Sequence, residues 1–279
     1  PPRSTLFPYT TLFRSTPSKI LKQDQEITNS KEICNEFNKY FANIGKNLAS
    51  AMPNSTNMPK FSQYLNDPIS SSIYFTPIAH QEIENIINDL NSSKATGPFS
   101  VPVVLLKSLS CYISHPLSII FNYSLSSGTV PDHFKIANVI PVYKKGSSLL
   151  LSNYRPISLL SIFNKILEKL VFNRLINFLD MYSIIHDQQF GFRARHSTVH
   201  AVTLLTNKIQ EAIDSNKYPC GIFIDLCKAF ETVDHNILLS KLEYYGIRGI
   251  ALKWFTSYLN DREQFVSVAV KFYFQVKFF

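Results

Sequence analysis

The run CGIFIDLCKAFETVDH, residues 220–235, decides how the rest of the chain is read. Side chains alternate along a strand, so Cys220, Ile222, Ile224 and Leu226 fall on one face and Gly221, Phe223 and Asp225 on the other. The run predicts a strand over 221–226 with an acid at its end. A carboxylate there is costly to bury unless it is paired or bound to a cation. Asp225 therefore either caps a strand-to-helix turn or serves as an oxygen ligand of Mg²⁺, which usually takes one or two carboxylates beside substrate phosphates. Spacing does not choose between them. Further on, Asp234 is placed to cap a helix carrying Ile237, Leu238, Leu242 and Tyr245.

Upstream, QQFGFRARHSTVHAV (188–202) sets Arg193, Arg195 and His196 beside Phe190 and Phe192, ahead of a helix through 213. Planar rings offer faces to bases and guanidinium forks grip phosphates, so Arg193 and Arg195 are nucleic-acid-binding candidates. Before it, Ser161 caps an amphipathic helix. Phe163, Ile166, Leu167, Leu170, Val171, Leu175 and Phe178 form its apolar stripe, while Lys165, Lys169, Asn173 and Arg174 face away. That basic face suits a phosphate backbone and suits an ordinary solvated surface equally well.

Still earlier, IANVIPVY (136–143) alternates as a strand and runs into Lys144-Lys145-Gly146, a basic turn. NYRPISLL (153–160) is extended around Pro156, because the residue before a proline avoids the helical region. Toward the N-terminus, Thr76 and Pro77 predict a helix start, with Ile83, Ile86, Ile87 and Leu90 as its buried face. NSSKATGPFSVP (91–102) is turn chemistry leading into a short helix over 102–109. Its Gly97-Pro98 lacks the spacing of a phosphate loop. A helix is expected within 26–50, with Ile33, Phe37, Tyr40, Phe41, Ile44 and Leu48 on one stripe. The Pro-, Ser- and Asn-rich stretch 51–72 reads as a linker. Residues 1–16, with TLF repeated between flanking RST triplets, resemble translated adapter sequence or a disordered terminus and carry no function.

Composition bounds the class. Apolar residues are 45% of the 279 and charged ones 17%, enough for a substantial core and too apolar for wholesale disorder. A net charge of +8 favours a polyanionic partner, nucleic acid first. No apolar run approaches the length of a membrane-spanning helix, so no membrane partner is expected. Cys34, Cys111, Cys220 and Cys227 form no CxxC pair, which argues against a zinc site or disulfide scaffold and for reduced thiols in an intracellular setting, cytoplasm and nucleus.

Taken in order, these segments resemble the reverse transcriptases of non-LTR, LINE-type retrotransposons of the jockey-like sort. KATGPFSVPVVLLK (94–107), FKIANVIPVYKKG (134–146) and NYRPISLLSIFNKILEKLVFNRL (153–175) come first. QQFGFRARHST (188–198), FIDLCKAFETVDH (223–235) and YGIRGIALKWFTSYLNDREQFV (245–266) follow. The resemblance covers roughly 30–266. Several independent motifs recurring in order are far more specific than any one of them.

The resemblance implies an α+β chain with an incomplete right-hand polymerase fold: helix-rich fingers plus the first strand and helices of the palm. Its expected divisions are a leader at 1–16, a helical segment and linker at 17–75, fingers at 76–218, partial palm at 219–268 and a divergent tail at 269–279. Asp225 matches the first catalytic, metal-binding aspartate, and the carbonyl of Leu226 a second contribution to the same ion. Lys144 and Arg155 match fingers residues that grip the dNTP triphosphate. Phe230 matches the ring below the incoming sugar that excludes ribonucleotides. Mg²⁺ or Mn²⁺ is the expected cofactor, and RNA template, DNA primer and dNTPs are the expected partners. Glu231 stands where the family usually has Asp. The Gln-Gly-Ser-Pro-type and Tyr-x-Asp-Asp motifs do not occur in SVAVKFYFQVKFF (267–279), and no endonuclease domain precedes the fingers, so a fragment or decayed copy is expected, inactive as it stands. The rival expectations are a catalytically dead nucleic-acid-binding remnant and a template-dependent RNA polymerase palm fragment.

Overall fold

Residues 17–22, 25–50, 61–65, 67–93, 97–98, 101–226, 228–268 and 271–277 are described by the computed structural model. Helices and strands are mixed, as the sequence predicts. The chain divides into two compact units, one of residues up to 174 and from 230 onward, the other of 175–229.

The alternating IANVIPVY sequence forms β3 (Ile136–Tyr143), after a short hairpin of β1 (Ile20–Lys22) and β2 (Gln25–Ile27). β3 pairs antiparallel with β4 (Tyr154–Leu159), setting Val142 opposite Arg155 and Tyr143 opposite Tyr154. β5 (Glu263–Val268) lies parallel to β3 on its other side and turns back into β6 (Lys271–Lys277), giving the order β4-β3-β5-β6. One face of this sheet buries Ala137, Val139, Tyr154 and Val266 against α1 (Ser30–Ser50), whose Ile33, Phe37, Phe41 and Ile44 recur at helical spacing. Phe37 meets the edge of Tyr154 with ring centroids 4.9 Å apart. The Asn29 carboxamide oxygen accepts from the Lys31 and Glu32 amides at 2.9 and 3.3 Å and so caps α1.

A second core in the same unit joins α2 (His80–Asp89), α3 (Val103–Ser108), α4 (Ser110–Ser127), the first turns of α5 (Ile162–Met181) and α8 (Ile250–Leu259). Ile83, Ile87, Phe121, Ile166, Leu167, Leu170 and Trp254 fill it. Ser161 caps α5 as expected, accepting from the Asn164 amide at 3.2 Å. α7 (His235–Tyr244) is capped by Asp234, whose carboxylate accepts from Asn236 and Ile237 at 2.8 and 3.0 Å. The second unit holds the end of α5, a string of turns, α6 (Thr198–Asp214) and the segment running to 229; α6 has no buried residue.

Three expectations are corrected. The strand over 221–226 does not form: it joins no ladder among the described residues, and Ile222, Phe223 and Ile224 are 83–85% exposed. Strand propensity becomes a strand only where another backbone completes the hydrogen bonds. The helix after the linker starts at His80 instead of Pro77, because the Asn122 carboxamide binds both the N–H and the C=O of Ile78, at 2.7 and 2.9 Å, and holds it out of the helix. Ala79 is its first flanking residue, with Glu82 reaching back to the Ala79 amide at 3.2 Å. Arg174 does not face away from the core. Its side chain is 10% exposed, pairs with Glu82 at 3.1 Å and also donates to the Thr76 and Pro77 carbonyls. Residues 271–277, within the expected divergent tail, form β6. The linker residues 51–60 and the leader 1–16 lie outside the described residues.

Burial alone would raise the Glu82 pKa, but donors from Arg174 and the Ala79 amide outweigh it and hold Glu82 below its ordinary 4.5. Glu36 is likewise held low by Lys22 and Lys39 against its own desolvation. A depressed carboxylate contributes stability above its unfolded pKa and loses it as pH falls through the folded one. Thermal unfolding should therefore show a midpoint that drops as pH falls below 4.5. Arg174→Gln should lower the midpoint at neutral pH and flatten, without abolishing, that acid slope. An unchanged slope in the variant would assign it elsewhere.

Candidate functional site

The β3–β4 hairpin presents two of the expected triphosphate ligands together. Arg155 stands opposite Val142 in the ladder, so its side chain leaves the sheet on the face opposite the α1 core. The Lys144 amide donates to the Asn153 carbonyl at 2.8 Å, which continues the pairing one step. Lys144 is two residues beyond Val142 and shares Arg155's face, a diagonal cross-strand neighbour at about 7–8 Å between backbones. Both side chains are exposed. Lys145 follows in the turn.

The loop that carries them is braced. Asn153 Nδ2 donates to the Ser147 carbonyl at 2.9 Å, the Tyr154 hydroxyl to Ser148 at 2.7 Å, and the Tyr143 hydroxyl to the Gly146 carbonyl. Gly146 has φ +92°, and a Cβ there would lie 2.8 Å from Asn153 Nδ2. The Leu21 amide donates to Leu149 at 2.9 Å and ties the loop to β1. Asn153, Tyr143 and Tyr154 were absent from the sequence-derived candidates. A turn rich in Lys, Gly, Ser and Asn was the available signal, but its closing bonds span the hairpin.

Phe230 is 77% exposed and belongs to the same unit. Its neighbour Glu231 packs its carbonyl against Gly45 of α1: a Cβ at position 45 would sit 2.2 Å from it. Glycine inside a helix costs about 0.5–1 kcal/mol relative to alanine, which a close backbone approach explains. Lys165 is half-buried and Lys169 exposed on α5, where the Lys169 ammonium lies 5.0 Å from the Phe172 ring centroid.

In the second unit, Arg193 donates to the His186 carbonyl at 3.2 Å, and Arg195 is exposed with φ +61°. Phe190 and His196 pack at 5.9 Å, and the Ser197 side chain caps α6. Asp225 and Leu226 are both exposed on the unpaired segment. One carboxylate and one carbonyl fit an ion whose remaining positions are filled by phosphates and water. They do not make a two-ion centre, and among the described residues no group of three or more His, Cys, Asp or Glu is placed to hold a metal. Cys34, Cys111 and Cys220 are free thiols, Cys227 lies outside the described residues, and no described helix is long and apolar enough to cross a membrane.

Residues 142–278, which include the basic hairpin's Lys144 and Arg155 and the acid-bearing segment, match the reverse transcriptase (RNA-dependent DNA polymerase) family. Those residues belong to that family, whose members use divalent metal ions. The match includes β6, beyond the 266 at which the motif resemblance fades. The chain is 37% identical over 211 residues to the probable RNA-directed DNA polymerase from transposon BS of Drosophila melanogaster, covering 73% of this chain and 22% of that protein. It is 33% identical over 180 residues to the RNA-directed DNA polymerase from mobile element jockey of the same fly, covering 64% and 20%. A third relative, from transposon X-element, is 28% identical over 190 residues, 66% of this chain and 21% of that protein. The chain thus spans about a fifth of the length of these relatives.

Proposed function

We propose that the chain is part of an RNA-directed DNA polymerase of a non-LTR mobile element, copying an RNA template from a DNA primer with dNTPs. In this reading residues 76–218 are fingers and 219–268 part of the palm of a right-hand polymerase. The observation that carries it is the braced hairpin with Lys144 and Arg155 on one face. A point charge and a planar fork beside each other match a triphosphate, and a rigid loop loses little on binding it. Asp225, with the Leu226 carbonyl, would hold Mg²⁺ or Mn²⁺, which supplies charge neutralisation at the transferred phosphate. Phe230 would stand below the incoming sugar. Arg193, Arg195, Lys165 and Lys169 would bind the nucleic-acid backbone, in the cytoplasm and nucleus where template and target reside.

The test uses the polypeptide extended to a complete polymerase domain. Lys144→Ala and Arg155→Ala should each raise KM for dNTP by about tenfold or more, as loss of a charge-assisted contact does, and leave primer–template affinity within about twofold. Unchanged KM in both would overturn the assignment. In the same assay, Phe230→Val should admit ribonucleotides, because removing the ring removes the clash with a 2′-hydroxyl. An unaltered preference for dNTPs would make Phe230 a packing residue.

A further inference from the structure

A separate groove in the first unit is lined by the 73–77 segment, α4 and the start of α8, and encloses about 770 Å³. Its walls are apolar, with Ile73, Phe75 and Ile119 among them. Two tyrosines, Tyr74 and Tyr123, also line it and are 77% and 73% exposed. α4 is apolar on its outer face as well as its inner one. Ser110, Ser114, Ser118 and Ser124 are buried beside Phe121 and Leu125, while Tyr112, Ile119 and Tyr123 face solvent. From 108 to 131 the chain has no Asp, Glu, Lys or Arg, so α4 brings no full charge to this face, only rings, alkyl groups and the neutral Asn122 and Ser126.

The rim is positive and unbalanced. Among the described residues Arg248 is the one charged side chain lining the groove, and its guanidinium donates to neutral acceptors: the carbonyls of Ile69, Ser70 and Ser71 and the Ser72 hydroxyl. Lys253 donates to the carbonyl of Ser127, next to the lining Ser126, at 3.0 Å. Neither makes an ion pair with a carboxylate among the described residues.

We propose that this groove binds unpaired bases of single-stranded nucleic acid, stacked on Tyr74 and Tyr123, with the adjoining phosphates held by Arg248 and Lys253. The inference rests on the nucleic-acid reading of the chain. Exposed rings on α4 and on the 73–77 segment, neither carrying a cation, bordered by cations of 248–253 without a carboxylate partner, match a polymer that alternates flat faces with anionic links. A duplex hides its base faces and gains nothing from such a groove.

Fluorescence anisotropy of a labelled twelve-nucleotide oligouridylate and of an RNA duplex of equal length, each with the full chain, tests it. The single strand should bind more tightly. Tyr74→Ala and Tyr123→Ala should each weaken it about tenfold with the salt slope unchanged. Tyr74→Phe should bind as wild type, since stacking uses the ring. Lys253→Gln should flatten the slope of log affinity against log salt by about 0.7. Arg248→Gln should do the same; because Arg248 also ties down 69–72, Lys253→Gln decides if that variant unfolds. Unchanged affinity in both alanine variants overturns the proposal. So does displacement of the oligonucleotide by an acidic amphipathic peptide of Glu and Leu at a lower concentration than unlabelled oligouridylate needs, which would make the groove a protein-docking surface. Failure here leaves the dNTP effects of Lys144 and Arg155 untouched, and the reverse also holds.

Discussion

Trp254→Ala is expected to lower the stability of the first unit by about 3–5 kcal/mol, the range for emptying a buried aromatic site. Trp254 is 2% exposed. Its indole stacks on Tyr258 with centroids 5.4 Å apart and planes 9° from parallel, and it meets Phe75 and Phe255 edge-on at 6.3 and 5.3 Å. Removing it leaves a cavity walled by rigid rings from two elements, which cannot collapse cheaply. The lost bond from Nε1 to the Ser124 hydroxyl, 3.0 Å, adds less, because Ser124 still donates to the Thr129 carbonyl at 2.7 Å. Tyr258 is itself fixed: its hydroxyl donates to the Glu168 carboxylate, and burial together with that carboxylate pushes its pKa well above the ordinary 10.0. Urea unfolding should show the midpoint falling with the slope unchanged. Trp254→Phe should recover about half the loss. A change below about 1 kcal/mol in Trp254→Ala would mean that the site repacks.

The second large effect concerns Asp225. In a polypeptide carrying a complete polymerase domain, Asp225→Asn should cut the rate of primer extension by at least about a thousandfold, because the carboxylate proposed to hold the divalent ion would be gone. Primer–template affinity should be unchanged, since one surface carboxylate contributes nothing favourable to binding a polyanion. The 279-residue chain by itself is expected to bind such a hybrid and not extend it. Asp225 stands on a segment that no ladder holds among the described residues, so its carboxylate is not pinned within the few tenths of an ångström that in-line transfer needs. Extension by the chain alone, abolished in Asp225→Asn, would show that the segment orders on substrate. Equal extension by both proteins would remove Asp225 from the chemistry.

Much of the local structure was legible. IANVIPVY alternates and forms β3; the Ile33, Phe37, Phe41 and Ile44 stripe marks the buried face of α1; Ser161 and Asp234 cap the helices they precede. Each of these signals acts within a few residues. α4 was not legible, because a helix apolar on both faces has no amphipathic period, and four serines are buried there beside Phe121 and Leu125. Arg174 reads as surface by helical spacing, yet Glu82, far away in sequence, draws it in.

By itself the sequence determined the elements whose signals are local, and the ordered motifs that mark the reverse transcriptase family over residues 142–278. Backbone dihedral preference, capping and side-chain period are properties of neighbouring residues, so no fold is needed to read them. Only the tertiary structure decided which of the strand-like runs become strands. β5 pairs with β3 and β6 with β5, so both join its sheet, whereas FIDL finds no backbone to pair with among the described residues and stays exposed. The tertiary structure likewise placed Lys144 and Arg155 on one face of a braced hairpin and left Tyr74, Tyr123 and Arg248 around one groove. Hydrogen-bond completion and the meeting of distant side chains depend on partners far along the chain, and their identity is not written in any single segment.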